Sequence, residues 1–143
     1  MSSQPSEFPR TLPALDLDNE AFWTGGKNGE LLINRCDDCG YYVHPPTGFC
    51  PSCESRDVRP QPVSGRGEIV TMTVNYRAWF PDIPVPYVVA MVAIEEQQDV
   101  RLITNIVDCD PLSVEIGDKV RVRFEQVEDL WIPLFFPDPE ARP

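Results

Sequence analysis

Positive charge is scarce in this chain. Twelve Lys and Arg stand against 23 Asp and Glu in 143 residues, which leaves a net charge of −11 and a sequence pI of about 4.4. A polypeptide this acidic is repelled by phosphate backbones and by anionic membranes, so neither nucleic acid nor membrane is an expected partner. Long apolar runs are missing too, and nothing reaches the roughly 18 residues that a bilayer span requires. Residues 1–13 hold no hydrophobic segment of the export type. The expected compartment is therefore the cytosol, where thiols stay reduced. Histidine occurs once, as His44, and only one of the five cysteines, Cys109, falls outside a paired motif. One imidazole and one spare thiol do not make a nucleophile–base pair. Asp108 and Asp110 flank Cys109 and disfavour its thiolate. Cys109 reads as a half-buried structural residue at a strand end, and no catalytic residue is expected. Internal repeats are absent. Long helices are disfavoured by 16 prolines, about double the ordinary share of ~5%.

What the chain does have is a cluster of cysteines. Cys36-Asp37-Asp38-Cys39-Gly40 and Cys50-Pro51-Ser52-Cys53 are two C-x-x-C pairs with ten residues between them. Each pair turns two sulfurs toward one point, and two facing pairs offer four thiolates in tetrahedral directions, which suits zinc. Gly40 follows the first pair, where a tight turn needs positive φ. Disulfides fit a reducing compartment poorly, and a redox dithiol would sit at a helix start in a βαβ unit that this sequence lacks. A single iron held by four thiolates stays open, because rubredoxin-like sites use similar paired knuckles. Cys36, Cys39, Cys50 and Cys53 are the predicted ligands of one structural zinc. A site closed by four sulfurs has no position left for water or substrate. His44, between the two pairs, is read as a loop residue.

The rest of the chain is mostly strand-like. Residues 15–23 read as a short helix, capped by Asp16 or Asp18 and ended by Gly25-Gly26. Phe22 and Trp23 form its bulky end, either pinning it to its own domain or docking on another subunit. Residues 29–35 suggest a short strand, and Pro60 and Pro62 mark residues 58–63 as a connection. Val70, Met72 and Val74 alternate with Thr71 and Thr73 as in a half-buried strand. Tyr87 to Ile94 is continuously apolar and fits a strand covered on both faces. Arg101 to Val107, residues 120–125 and residues 131–136 supply three more, with Pro133 confining the last to an edge or bulge. Five strands in some 75 residues, with Gly-marked bends, suggest a small Greek-key barrel of the OB type. The fold class is mainly β: a short N-terminal helix, a zinc ribbon and a five-stranded OB-fold barrel. The expected layout is a flexible arm at 1–14, the helix at 15–28, the ribbon at 29–60, the barrel at 61–137 and a tail at 138–143.

Three groups of residues are candidates for contacts with other molecules, one being Trp131, Phe135 and Phe136, which face the same choice as the loop that follows. Trp79-Phe80-Pro81-Asp82-Ile83-Pro84-Val85-Pro86 places Trp79, Phe80 and Ile83 on a loop restrained by three prolines, suited to a protein interface, to an acyl chain, or to closing the barrel mouth. Arg66, Arg77, Arg121 and Arg123 are local cations that could meet phosphates of coenzyme A or simply form wet strand faces.

The order of motifs carries a resemblance. Phe22-Trp23, Gly29-Glu30-Leu31, Arg35 to Gly40, Pro45-Pro46, Cys50 to Cys53, Ser64 to Gly67, Pro86 to Ala90, Asn105 to Cys109 and Ile116-Gly117 follow one another over residues 15–137. In that order they resemble the acyl-CoA-associated OB-fold proteins with a rubredoxin-like zinc ribbon, a family long filed as a domain of unknown function. The resemblance implies a non-catalytic accessory subunit beside a thiolase-like enzyme that handles CoA thioesters. The preferred subtype is a retro-aldol lyase acting on steroid side-chain CoA thioesters, with two chains of each kind in the complex. A thiolase or a hydroxymethylglutaryl-CoA synthase is the alternative partner. Phe22, Trp23, Trp79, Phe80, Ile83, Arg66 and Arg77 are the candidate contacts with partner or acyl-CoA. A single-stranded nucleic-acid-binding OB protein is the reading from another class, and the net charge weighs against it.

Overall fold

The computed structural model describes residues 11–140. Most of the arm expected at 1–14, and the last three residues of the tail, lie outside the described residues. The order of elements is α1 (Glu20–Thr24), a 3-10 turn (Gly25–Asn28), β1 (Leu31–Cys36), β2 (Tyr42–Val43), β3 (Val58–Val63), β4 (Arg66–Asn75), β5 (Tyr87–Ile94), β6 (Gln97–Ile106), a second 3-10 turn (Pro111–Ser113), β7 (Lys119–Val127) and β8 (Leu130–Pro137). β2, β1 and β3 form a small sheet in that order, and β4-β5-β6-β8-β7 closes into a barrel.

The helix is shorter than expected. Asp16 does not cap it: its carboxylate instead accepts the amides of Asp18 and Asn19, fixing the turn ahead of it. Asn19 is the N-cap residue. Nor does Gly25-Gly26 end the helical path, which runs on through the 3-10 turn and stops at Gly29 with φ 73°. Gly26 is needed for contact: a Cβ there would fall 2.5 Å from both Phe124 Cδ1 and Trp131 Cβ. The turn therefore lies flush against β7 and β8.

The segment 58–63, expected to be a connection, is a strand. It pairs with β1 over its whole length, with Leu32 opposite Pro62 and Asn34 opposite Pro60. β3 is the outer strand of its sheet, and prolines two residues apart remove donors from one side only, which an edge tolerates. In β4 the alternation breaks at a bulge between Ile69 and Thr71. Ile69, not Val70, points into the core before it, and Met72 and Val74 pack there after it. β8 is paired with β7 along its length, yet meets β6 in a single parallel bridge, Ile106 to Phe135. Pro133 thus belongs to the barrel's closing seam, where its carbonyl accepts the Thr104 hydroxyl at 3.1 Å.

One apolar core runs through ribbon and barrel. Leu31 and Ile33 of β1 join Ile69, Val88, Val92, Leu102, Val120 and Phe135. Tyr87 to Ile94 departs from expectation in one respect. Val88, Ala90 and Val92 are buried inside, but Val89 and Met91, on the outer face, are only half-buried. Within this chain the outer side of the strand is covered at Ala93 and only in part at Val89 and Met91. No helix among the described residues is long and apolar enough to cross a membrane.

Candidate metal centre and flanking surfaces

The two cysteine pairs sit on matching turns. After Cys36 the chain folds back so that the Gly40 amide donates to the Cys36 carbonyl at 2.9 Å, and after Cys50 the Glu54 amide donates to the Cys50 carbonyl at 2.8 Å. Gly40 takes φ 79° and Glu54 takes φ 66°. The second turn therefore uses the same left-handed step as the first but with a side chain present, a conformation that ordinarily costs about 1–2 kcal/mol. Arg59 pairs with Asp37 at 2.9 Å, and Ser55 bonds to Asp38, tying the exit of the ribbon to its first turn.

The sulfurs converge. Cys36 Sγ lies 3.6 Å from Cys53 Sγ, Cys39 Sγ lies 3.6 Å from Cys50 Sγ, and all four fall within 4.8 Å of one another. Thiolates at about 2.3 Å from a central zinc stand ~3.8 Å apart along the edges of a tetrahedron. A disulfide would need about 2.05 Å, and these four cysteines are not joined by one. Cys36 and Cys50 are buried, while Cys39 and Cys53 face outward. The Cys39 amide donates to the Cys36 sulfur and lowers that thiol to about 7. Against the pull of the Ser55 amide, the proton shared with Cys36 and burial push Cys53 up to about 12. The two shifts are opposed, and a dication would take both sulfurs as thiolates. The donor set fits zinc.

His44 stays out of this cluster, as expected. Its ring packs on Phe22 with centroids 5.0 Å apart, and burial lowers its pKa to about 4. Cys109 is half-buried and packs against the barrel core.

The other candidate contacts divide. Phe22 packs on the main core and Trp23 on a second cluster around Ile132 and Leu134, so both hold α1 to its own chain. Their outer edges still line grooves. Trp23, Phe80 and Ile83 meet in one apolar cleft with Tyr87, Val107 and Ile132. Trp79 is 60% exposed, with the Arg77 guanidinium stacked 4.4 Å from its ring centroid and its indole N–H donated to Asn75 at 3.2 Å. Arg66 lies across the barrel from that loop, opposite Arg121 and 3.8 Å from Glu140. Arg121 contacts Asp138 at 3.1 Å and Glu140 at 2.6 Å, and Arg123 reaches Asp108 at 2.8 Å. Arg66 and Arg121 thus share the Glu140 carboxylate, while Arg77 and Arg123 sit apart from them on Trp79 and Asp108. Gln97, which no sequence pattern marks, joins ribbon to barrel: its side-chain amide accepts the Tyr42 N–H and donates to the Tyr42 carbonyl, both at 2.9 Å.

Comparison with known proteins agrees with this architecture. The family described as "ChsH2, rubredoxin-like zinc ribbon domain" matches residues 23–59, and "ChsH2, C-terminal OB-fold domain" matches residues 60–125. A "DUF35 domain-containing scaffold protein" of Methanothermobacter thermautotrophicus is 38% identical over 69% of this chain and 74% of its own length. Two hydratase alpha subunits align with nearly all of it: the "Probable enoyl-CoA hydratase alpha subunit" of Thermomonospora curvata, 33% identical over 95% of this chain, and the "3-oxo-4,17-pregnadiene-20-carboxyl-CoA hydratase alpha subunit" of Mycobacterium tuberculosis, 31% identical over 96%. The chain spans only 43% and 45% of those two proteins. Among solved structures, a chain of "Ltp2-ChsH2(DUF35) aldolase" superposes with TM-score 0.79 at 34% identity, covering 88% of this chain and 98% of that one. The chain belongs to the DUF35 family, and its ribbon and barrel match the zinc ribbon and OB-fold domains described for ChsH2.

Proposed function

We propose that this protein is the non-catalytic subunit of a thiolase-like acyl-CoA enzyme in the cytosol, and that the enzyme is a retro-aldol lyase acting on steroid side-chain CoA thioesters. The observation that carries this reading is the likeness to one chain of an aldolase assembly over 98% of that chain's length. The steroid class is supported by the pregnadiene-carboxyl-CoA hydratase subunit that aligns over 96% of this chain.

The chain's own chemistry is consistent with a supporting role. Retro-aldol cleavage needs a base to take a hydroxyl proton and a group to stabilise the enolate of the thioester. Here the thiolates of the ribbon are committed to a closed site, which offers zinc no open position for a Lewis-acid step. His44 is packed on Phe22 in the ribbon, and Cys109 follows β6 of the barrel. We assign the four cysteines to holding zinc, and zinc to holding the ribbon. The reacting groups belong to the partner, with two chains of each kind in the complex.

The test is coexpression with thiolase-like proteins encoded beside this chain, followed by gel filtration and an assay of β-hydroxyacyl-CoA cleavage on a steroid thioester. The pair should co-elute and cleave, and the isolated chain should not. Cleavage by this chain alone would refute the proposal, as would a metal centre with a bound water.

A further inference from the structure

The outer face of β4, β5 and β6 carries an uncharged patch, bounded on one side by the row Glu68, Ala93 and Arg101. β4, β5 and β6 lie side by side. Their registers set Thr71, Met91 and Ile103 in one row and Thr73, Val89 and Asn105 in the next. None of these six side chains ionises, in a chain of net charge −11. Ile103 is 67% exposed, although Leu102 and Thr104 on either side of it are buried. The next row, Asn75 and Tyr87, leads to exposed Tyr76 and Trp79. On the opposite side Ile103 borders a groove floored by Phe22 and walled by Pro45 and Pro46 of the ribbon. The face thus continues from the barrel onto the ribbon.

In OB barrels this side of the second and third strands commonly holds oligonucleotides, using cations for phosphates and aromatics for bases. The equivalent strands here, β5 and β6, present valine, methionine, isoleucine and asparagine, which give a phosphate backbone nothing to pair with. An uncharged patch that pairs an exposed isoleucine with half-buried valine and methionine suits a protein contact.

We infer that the catalytic partner subunit docks on this face, gripping ribbon and barrel together; the inference rests on the functional reading above. Charge selects this occupant over a second copy. Two copies would bring −11 against −11, with exposed Asp18 and Glu20 flanking Asn19 at the edge of the groove. A partner with an apolar centre and Lys or Arg set against Asp18 and Glu20 complements both features.

The test uses the coexpressed pair with three variants of this chain. Ile103→Arg and Thr71→Lys put a cation in the middle of the face. Ile116→Arg alters an equally exposed isoleucine (65%) between β6 and β7, away from it. Zinc content and melting temperature establish that each variant folds. Ile103→Arg and Thr71→Lys should weaken association with the thiolase-like subunit at least tenfold, and Ile116→Arg should leave it unchanged. Wild-type affinity in both face variants would overturn the assignment while leaving the functional reading intact. A homodimer of the isolated chain that Ile103→Arg splits would give the face to a second copy. Low-salt binding of a labelled oligonucleotide, lost in Ile103→Arg, would give it to nucleic acid. Failure of the wild-type chain to associate with any thiolase-like subunit would refute the functional reading itself, and the docking inference with it.

Discussion

Replacing Gln97 should loosen the ribbon from the barrel without disturbing the metal. The side chain of Gln97 acts as a short surrogate strand. It meets the open edge of β2 through two hydrogen bonds of 2.9 Å, one in each direction, to the backbone of Tyr42. A third tie, from the Tyr41 hydroxyl to Asp99 at 2.9 Å, runs parallel to them. A hydrogen bond of this kind contributes about 0.5–1.5 kcal/mol net. Gln97→Ala loses two, and water can reach part of this half-buried edge, so the cost should be about 1–2 kcal/mol. Gln97→Glu keeps the acceptor but sets a carboxylate against the Tyr42 carbonyl, beside Asp99 and Glu96, and should cost at least as much. With a urea slope near 2 kcal/mol/M, the midpoint should fall by about 0.5–1 M. Hydrogen exchange at the Tyr42 amide should accelerate tenfold or more, while one zinc per chain is retained. Midpoints within ~0.2 M of wild type, with Tyr42 exchange unchanged, would show that the contact does not orient the ribbon.

Three other outcomes follow from the ribbon. Chelation, or Cys36→Ser, should melt the knuckles, because the apolar cluster around Cys36, Val43 and Cys50 is small and zinc supplies roughly 10–16 kcal/mol to such sites; retained amide protection at Cys39 and Cys53 after metal loss would contradict this. Glu54→Gly should raise stability by up to about 1 kcal/mol, because φ 66° at that position is strained for a side chain and free for glycine, and a lower urea midpoint would count against the matched-turn geometry. His44 is held neutral by burial, with its pKa lowered from 6.5 to about 4, so between those values the unfolded chain binds more protons. Stability should therefore fall as pH drops through that window, by at most about 3 kcal/mol, and should level off below pH 4. His44→Gln should remove this part of the acid sensitivity, read as the difference from wild type between pH 7 and pH 5.

The metal site was legible in sequence because its chemistry is local. Two C-x-x-C spacings dictate where four sulfurs can go, and the folded chain brings them within 4.8 Å. The barrel strands were legible for a related reason: Val120, Val122 and Phe124 alternate with charged residues, and β7 faces them inward as that period requires. The departures came from residues whose meaning depends on what lies beside them. Pro60 and Pro62 mark a break in isolation, yet on an outer strand their missing donors cost little. Glu54 carried no turn signal, although it takes the step that Gly40 announces. Gln97 bears no mark in the sequence, because a side chain that completes the edge of a distant strand leaves no local pattern.

Tyr87 to Ile94 is the most informative departure. An apolar run without alternation belongs to a strand buried on both faces, yet the outer residues of β5, Val89 and Met91, are left half-covered by their own chain. Their neighbours across the sheet, Ile103 on one side and Thr71 and Thr73 on the other, supply no cover. Selection for solubility alone would place charge on such a face in a chain that already carries 23 acidic residues. The sequence pattern of a doubly covered strand and the structure of a singly covered one agree if the second cover is another polypeptide. On that account β5 is a central strand of the complex, and the metal-braced ribbon beside it extends the surface that the partner meets.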